Sequence, residues 1–273
     1  MFHEFCCSRA IFLPTNSRPA ETLLRGGARQ WNCSFRVYLP GYRATRYRTC
    51  TVPMDSRAAS SFRLAFIGMS GAGKTFWTKK LAAEGWLAIC CDDLIEGRLA
   101  ARLADGGYTG INGVAAWMGW PNEAHYAERE AQYLEEEIHT LDEALGRIEK
   151  ESGKPVVLDT TGSVIYAGNN LLLRLRKRMT VVHLAASSEE RQLLIERYLG
   201  DPKPVLWRGA FRPNPHETPR ETVARCYPQL MAARRQSYEA LAHCTLQVAE
   251  LRDPGLDAKG LLEKIRGQVE RGR

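Results

Sequence analysis

Long apolar runs are missing from this sequence. Among its 273 residues there is no uninterrupted stretch of about 18 apolar residues, the least that a transmembrane helix needs, so we expect no membrane association. Internal repeats and low-complexity tracts are also missing. The length fits one ordinary globular domain, with or without a tail.

Paired cysteine spacings are missing too. The chain has eight cysteines, but none of them forms a C-x-x-C pair, and no Cys/His spacing matches a zinc site. Cys90 and Cys91 stand side by side at the end of a predicted strand, where packing is the simplest role. This usage is consistent with a reduced compartment.

Acidic residues and lysine are scarce near the N-terminus. Residues 1–60 hold nine arginines, three acids and no lysine, so they carry +6 of the chain's net charge of +7. The remainder shows no basic stripe, and we expect no nucleic-acid partner. An Arg-rich, acid-poor leader with Ser and Thr is typical of a transit peptide to a plastid or mitochondrion. The alternative is a disordered extension upstream of a start at Met54, which would leave the protein in the cytoplasm.

Strands and helices alternate along residues 61–273. Apolar runs predict strands at 62–67, 86–90, 156–158, 180–184 and 244–249. Helical patterns fall at about 75–84, 93–104, 122–150, 163–177, 188–199, 219–242 and 257–270. This alternation predicts an α/β domain in which helices sandwich a parallel five-stranded sheet. The run Glu135–Glu137 in the long helix is most simply a solvated face.

A glycine-rich segment at 68–75 fits the pattern G-x-x-x-x-G-K-[ST]. It follows a predicted strand and opens a predicted helix, which is the context that a phosphate-binding loop requires. The glycines let backbone N–H groups face the phosphates, Lys74 reaches the β- and γ-phosphates, and the Thr75 hydroxyl binds Mg²⁺. We therefore predict an ATP site comprising Gly68, Ser70, Gly71, Ala72, Gly73, Lys74 and Thr75.

Acidic side chains follow two of the predicted strands. Asp159 ends the strand at 156–158 and is a candidate for the Mg²⁺ shell; the alternative is a helix cap, a role for which Thr160 is a rival. Asp92 and Asp93 follow the strand at 86–90. One of them could cap a helix that begins near Leu94, and the other could point into the cleft and accept a hydroxyl proton.

Prolines and glycines interrupt residues 200–219 so often that no regular element is expected there. A segment of this length inside a compact domain is usually a functional lid or disordered. We predict a mobile lid that closes on the triphosphate and supplies positive charge. The candidate cations flank or occupy it: Arg197, Lys203, Arg208 and Arg212.

Several motifs together resemble the shikimate kinase family of P-loop kinases. They are the segment 67–75, the run Asp92-Asp93-Leu94-Ile95-Glu96 (similar to D-x-x-I-E), Thr161-Gly162-Ser163-Val164 (similar to the end of T-G-G-G-S-V), Lys203-Pro204-Val205-Leu206 (similar to the lid motif R-P-L-L), and Arg234 to Glu239 (similar to R-x-x-x-Y-E). The resemblance covers about 62–250. It implies that Asp92 binds and activates the acceptor hydroxyl, that Gly162 and Arg234 bind the acceptor, that Arg197 packs near adenine and that Lys203 is the lid cation.

The chain departs from the family pattern on the acceptor side. Thr160 and Thr161 replace two glycines of the glycine-rich loop. Ala127 stands where a second carboxylate-binding arginine is expected, and Cys90 stands where an acidic residue is expected two positions before Asp92. Shikimate as the acceptor does not follow from these motifs.

The sequence thus leaves three functions open. The first is an ATP- and Mg²⁺-dependent kinase, expected to be a monomer, whose acceptor is a small hydroxyl-bearing molecule, as the resemblance implies. The second is a kinase for a different acceptor, such as a sugar acid or a nucleotide. The third is a catalytically inactive nucleotide-binding protein that kept the fold.

Overall fold

The computed structural model describes residues 62–272 of the chain. The predicted leader, residues 1–60, lies outside the described residues. The transit peptide and the start at Met54 therefore stay predictions.

A parallel sheet of five strands forms the centre of the domain, in the order β2-β3-β1-β4-β5. The strands are β1 (Arg63–Ile67), β2 (Leu87–Cys90), β3 (Val156–Asp159), β4 (Thr180–Ala185) and β5 (Cys244–Gln247). In the middle of the sheet, Phe66 of β1 pairs with Asp159 of β3 on one side and Val182 of β4 on the other. This arrangement confirms the predicted α/β fold class.

Helices connect the strands. They are α1 (Lys74–Ala83), α2 (Cys91–Ala104), α3 (Gly110–Met118), α4 (Tyr126–Lys150), α5 (Asn169–Arg178), α6 (Ser188–Gly200), α7 (Pro219–Leu241), α8 (Val248–Leu251) and α9 (Ala258–Arg271).

Alternate residues of each strand point to opposite faces of the sheet. Leu64 and Phe66 of β1 pack in a core with α1, α8 and α9. Ala65 and Ile67 pack in a second core, on the other face, with helices α2 to α7. Each fully buried Leu, Ile or Phe contributes about 1.5–3 kcal/mol, so the two layers fix the sheet that carries the site.

The structure differs from the predictions at α3, at α5 and at the end of β5. The sequence does not predict helix α3, because glycines are unfavourable inside a helix. Its Val114, Trp117 and Met118 nevertheless form an apolar face that packs in the core. The predicted helix at 163–177 is a short 3-10 helix over 164–166 followed by α5, because Gly168 adopts a φ of 92° between them. The last strand ends at 247, and α8 follows at once.

Residues 201–218 contain no helix or strand, as their prolines predicted. The helices on either side are sharply bounded. Helix α6 begins with a capping box formed by Ser187 and Glu190, and α7 begins with one formed by Thr218 and Glu221. The irregular segment is therefore held at both ends by well-defined helices; its mobility stays a prediction.

The charge run in α4 does not form a wholly solvated face. Glu135 is exposed, but Glu137 is buried, together with Tyr126, Glu130 and Tyr133 at i, i+4 and i+7 spacing along the helix. The expectation for Glu137 was wrong because Glu137 continues the buried stripe of Tyr126, Glu130 and Tyr133 along the helix.

No helix within 62–272 combines the length and the apolar character that crossing a membrane requires.

Candidate active site

The residues singled out from the sequence gather at the carboxyl edge of the sheet. The loop 68–73 follows β1, Asp92 lies in the first turn after β2, and Asp159 is the last residue of β3. Ligands of open α/β sheets bind at this edge, in the crevice beyond the strand ends. The fold therefore brings these three parts together, although Gly68 and Asp159 are 91 positions apart in the chain.

The loop after β1 depends on glycine at three positions. Gly68, Gly71 and Gly73 have φ angles of 139°, 81° and 97°, which side chains rarely allow. A Cβ on Gly68 would also lie 2.7 Å from the carbonyl oxygen of Leu184. The backbone that the motif predicted is thus present, and it ends at the N-terminus of α1, whose first turn has no acidic residue. Such a helix N-terminus favours a bound anion.

Lys74 is buried and already held in place. Its ammonium group donates to the carbonyl oxygens of Gly68 at 3.0 Å and Met69 at 3.2 Å. The charge therefore lies beside the loop whose backbone would receive phosphate.

Asp92 lies close enough to Lys74 for the two charges to interact. Helix α2 begins at Cys91, earlier than predicted, and no side chain caps it. Neither Asp92 nor Asp93 is thus a side-chain cap. Burial raises the pKa of Asp92 to about 6; Lys74 opposes that rise, and Asp159 and Asp93 add to it. A carboxyl whose pKa lies just below neutral pH is suited to accept a proton.

Asp159 is almost fully buried at the end of β3. Its side chain caps no helix, so the alternative role of Asp159 as a helix cap is not supported. Its Oδ1 atom has no hydrogen-bond partner in the described part of the chain. Burial raises the pKa of Asp159, while Lys74 and the nearby Thr75 hydroxyl lower it.

Asp159 and Thr75 fit a Mg²⁺ ion that keeps most of its water. Within 62–272, no cluster of three or more His, Cys, Asp or Glu side chains could hold a metal ion. Mg²⁺ in nucleotide sites is usually bound by one or two protein oxygens plus phosphates and water. The unpartnered carboxylate oxygen of Asp159 meets that requirement.

Arg234 and Gly162 are brought together on the acceptor side. Arg234 is buried in α7, and its guanidinium donates to the carbonyl oxygens of Gly162 at 3.1 Å and Leu206 at 2.5 Å. The Tyr238 hydroxyl also donates to the Gly162 carbonyl. Both terminal nitrogens of Arg234 are therefore engaged, and its Nε is a buried donor without a partner among the described residues.

Glu137 is a site residue that sequence reasoning missed. Its Oε1 accepts hydrogen bonds from the hydroxyls of Thr161 and Ser163, which flank Gly162. Burial raises the pKa of Glu137 to about 8; Ser163 and Arg234 lower it, and Asp92 raises it. The only signal in the sequence was the i, i+4, i+7 spacing of Tyr126, Glu130, Tyr133 and, one turn further, Glu137.

Two of the candidate lid cations line a cavity of about 150 Å³ beside the loop 68–73. Ser70 and Gly71 of the loop line this cavity together with Arg197 and Lys203. Lys203 donates to Asp201 at 2.9 Å and to Asn112 of α3. The structure therefore brings Arg197 and Lys203 to the phosphate loop, with Lys203 paired to other side chains.

The remaining lid cations lie elsewhere. Arg208 is exposed, has a φ of 48°, and lies 5.9 Å from the centre of the Tyr166 ring, which Arg234 also faces at 5.3 Å. The Nε of Arg212 donates to the carbonyl oxygen of Gly209 within the same irregular segment. Arg208 is thus near the acceptor side.

Comparison with solved structures finds shikimate kinases among the similar folds. The shikimate kinase from Acinetobacter baumannii, in complex with shikimate, has 21% identity and a TM-score of 0.48, with 80% of this chain and 98% of that chain covered. The shikimate kinase from Bacteroides thetaiotaomicron has 20% identity and a TM-score of 0.45, over 77% and 95% of the two chains. A gluconokinase from Sinorhizobium meliloti 1021 has 13% identity and a TM-score of 0.34, over 78% and 94%.

No protein-family profile and no curated protein matches the chain. Shikimate kinases, which the sequence motifs resemble, are thus among the solved structures to which this chain is similar. Identities of 13–21% do not show which reaction this chain catalyses.

Proposed function

We propose that this protein is a kinase that transfers the γ-phosphoryl group of ATP to a hydroxyl group of a small molecule. The observation that carries the proposal is that Asp92 lies within electrostatic range of Lys74, which is held beside the glycine loop. A carboxyl with a pKa of about 6, close enough to interact with a fixed ammonium group, provides a base for a hydroxyl and positive charge for a phosphoryl group in one site.

In the proposed reaction, the acceptor hydroxyl oxygen forms a bond to the γ-phosphorus. The bond between that phosphorus and the oxygen bridging to the β-phosphorus breaks, and ADP leaves with the electron pair. The hydroxyl proton passes to Asp92. Lys74 stabilises the charge on the β- and γ-oxygens. Mg²⁺, which Thr75 and Asp159 would hold, draws further charge from these oxygens when bound.

Arg197 and Lys203 are proposed to act from the lid. Both already line the cavity over Ser70 and Gly71. Lys203 would exchange its partners, Asp201 and Asn112, for the phosphate oxygens as the lid closes. Such an exchange replaces a half-exposed ion pair, which contributes about 1 kcal/mol or less, by a contact with a more highly charged group.

The test compares two adjacent carboxylates in the full-length chain. ADP release is measured with Mg²⁺·ATP and a panel of hydroxy acids, sugars, polyols and nucleosides, first for the unmodified protein. For Asp92→Asn we expect kcat to fall by about 10²–10⁴-fold, with ATP affinity unchanged within about twofold. For Asp93→Asn, whose side chain is exposed, we expect near-normal turnover. Equal losses in both variants would contradict the assignment of Asp92.

A second candidate function is nucleotide binding without catalysis. The observation in its favour is the acceptor side, where Ala127 replaces an expected arginine and the terminal nitrogens of Arg234 bond to backbone carbonyls. If ATP raises the melting temperature while no acceptor in the panel stimulates ADP release, this second function is supported and the kinase proposal fails.

A further inference from the structure

Lys203 lies between two cavities. One is the cavity of about 150 Å³ beside the loop 68–73. The other has a volume of about 350 Å³ and lies between helix α3 and residues 201–205; we call it the α3 cavity. Three residues line both cavities: Tyr198, Asp201 and Lys203. A movement of the Lys203 side chain towards the phosphate loop therefore withdraws it from the wall of the α3 cavity.

On the side of the α3 cavity, the ammonium group of Lys203 completes a closed set of hydrogen bonds. It donates to Oδ2 of Asp201 at 2.9 Å and to Oδ1 of Asn112. The Nδ2 atom of Asn112 in turn donates to Oδ1 of Asp201 at 3.1 Å. Lys203 is thus the shared donor of a carboxylate oxygen and an amide oxygen. When it turns to a phosphate group, as we propose above for the kinase, both oxygens lose that donor.

The other side chains of the α3 cavity favour a cation. Among the described residues that line it, Lys203 is the only one with a positive charge. Glu123 supplies a second carboxylate, although its Oε2 atom already accepts from the Trp120 N–H and lies 3.0 Å from Nε2 of His125. The rings of Trp120 and Tyr198, with centres 5.7 Å apart, also belong to the wall. Carboxylates and aromatic faces both attract organic cations.

Hydrogen bonding narrows the class of cation further. The two oxygens that Lys203 leaves both accept hydrogen bonds, so the group that replaces it must donate at least two. A primary ammonium group has three N–H donors, and a quaternary ammonium group has none. Beside these oxygens the wall is largely apolar, with Ala115, Met118 and Val205. The cavity therefore fits a primary ammonium group on an apolar stem, of which the butylammonium ion, the equivalent of a lysine side chain, is the simplest probe.

Resting on the proposed movement of Lys203 to the nucleotide, we propose that the α3 cavity is a second ligand site, which binds a small primary amine. The ammonium group of the amine takes the place of Lys203 between Asp201 and Asn112. Because the amine and Lys203 compete for the same two oxygens, a bound amine favours the arrangement in which Lys203 contacts phosphate. Amine and nucleotide therefore bind cooperatively, and each strengthens the binding of the other by the same factor.

The experiment measures how butylammonium changes the affinity for nucleotide. The full-length protein is titrated calorimetrically with the Mg²⁺ complex of a non-hydrolysable ATP analogue, at constant ionic strength and increasing butylammonium. Two further probes are controls: 1-butanol has the stem without the charge, and butyltrimethylammonium has the charge without N–H donors. We expect saturating butylammonium to lower the Kd of the analogue about fivefold or more, as allosteric couplings typically do, and both controls to leave it unchanged.

Three variants locate the effect. Asp201→Asn removes the charge that holds Lys203, so the analogue should bind more tightly without any amine, and butylammonium should add nothing. Lys203→Met keeps the stem and removes the ammonium group; butylammonium should then bind without nucleotide and should no longer alter the Kd of the analogue. Asp105→Asn, at an exposed carboxylate where α2 ends, is the control and should behave as the unmodified protein. Binding of the analogue shows that each variant is folded.

Other results would overturn the inference. If butylammonium leaves the Kd of the analogue unchanged, or if butyltrimethylammonium lowers it equally, the α3 cavity is not a site for a primary amine. A coupling that persists in Asp201→Asn or in Lys203→Met places the amine elsewhere. Because the analogue is not turned over, the kinase proposal is judged separately by ADP release from ATP. Coupling without ADP release supports the amine site and contradicts the kinase; ADP release without coupling does the reverse.

Discussion

Cys90 and Asp159 face each other across strands β2 and β3. They are register partners, and the Cys90 sulfur lies 4.0 Å from the Oδ2 atom of Asp159. The thiol therefore occupies the position from which a second carboxylate would share a metal ion with Asp159. Burial raises the pKa of Cys90 to about 12, so the thiol is neutral and makes a poor metal ligand.

We expect Cys90→Asp to strengthen the dependence on metal. Two carboxylates side by side repel each other without a cation, so the melting temperature of the variant should fall in EDTA and recover in Mg²⁺. The Mg²⁺ concentration for half-maximal ADP release should fall severalfold. Cys90→Ser serves as the control and should change neither quantity. An unchanged Mg²⁺ requirement in Cys90→Asp would show that the metal lies elsewhere.

The pH dependence of turnover should reflect Asp92. Its pKa is raised to about 6, and a proton acceptor must be ionised to act. We expect kcat/KM to be constant above about pH 7 and to fall as the pH is lowered through 6. In Asp92→Glu, the fall in rate at acid pH should occur at a different pH. In Asp92→Asn, the residual rate should show no such fall. A pH-independent rate between 5 and 7 in the unmodified protein would argue against Asp92 as the base.

Stability at mildly acid pH should depend on His183. This residue is buried in β4 against the Tyr238 ring, and burial lowers its pKa to about 4. The unfolded chain therefore binds a proton between about pH 6.5 and 4 that the folded chain excludes. The stability contributed by neutral His183 is full above pH 6.5 and is lost as the pH falls towards 4.

Urea denaturation from pH 8 to 4 checks this expectation. The free energy of unfolding should fall by up to about 3 kcal/mol over the window, at 1.36 kcal/mol per pKa unit. The non-titrating variant His183→Gln should show a flatter profile, even if it is less stable throughout. Identical slopes in the two proteins would assign the pH dependence to other groups.

Two glycines of the phosphate loop should respond differently to alanine. A Cβ on Gly68 meets the Leu184 carbonyl oxygen at 2.7 Å, whereas one on Gly73 meets nothing described within 4 Å, although both residues have positive φ. We expect Gly68→Ala to lower the free energy of unfolding by about 1–3 kcal/mol more than Gly73→Ala does. Denaturant titration of both variants measures the difference. Equal losses would mean that the loop relaxes away from β4.

The parts of the site that the sequence predicted well are those set by local patterns. The loop 68–75 could be recognised because its glycines, lysine and threonine lie in one short run between a strand and a helix. The position of Asp159 could be predicted because the last residue of a parallel strand lies at the edge of the sheet where ligands bind. Neither inference needed knowledge of distant packing.

The acceptor side was harder to predict because it depends on contacts between distant elements. The charge pattern predicts that Glu137 faces solvent, because the acidic residues around it do not indicate which side of α4 packs inward. Arg234 and Gly162 are both predicted to bind the acceptor, but nothing in the sequence indicates that the Arg234 guanidinium bonds to the carbonyls of Gly162 and Leu206. These hydrogen bonds link residues 72 and 28 positions apart.

The fixed position of Lys74 has a consequence for the energetics of nucleotide binding. A free lysine side chain loses roughly 2 kcal/mol of rotamer entropy when it is immobilised. Because Lys74 is already held by the Gly68 and Met69 carbonyls, that ordering takes place when the chain folds. A bound triphosphate would therefore meet an immobile charge, and more of the attraction between them would remain as binding affinity.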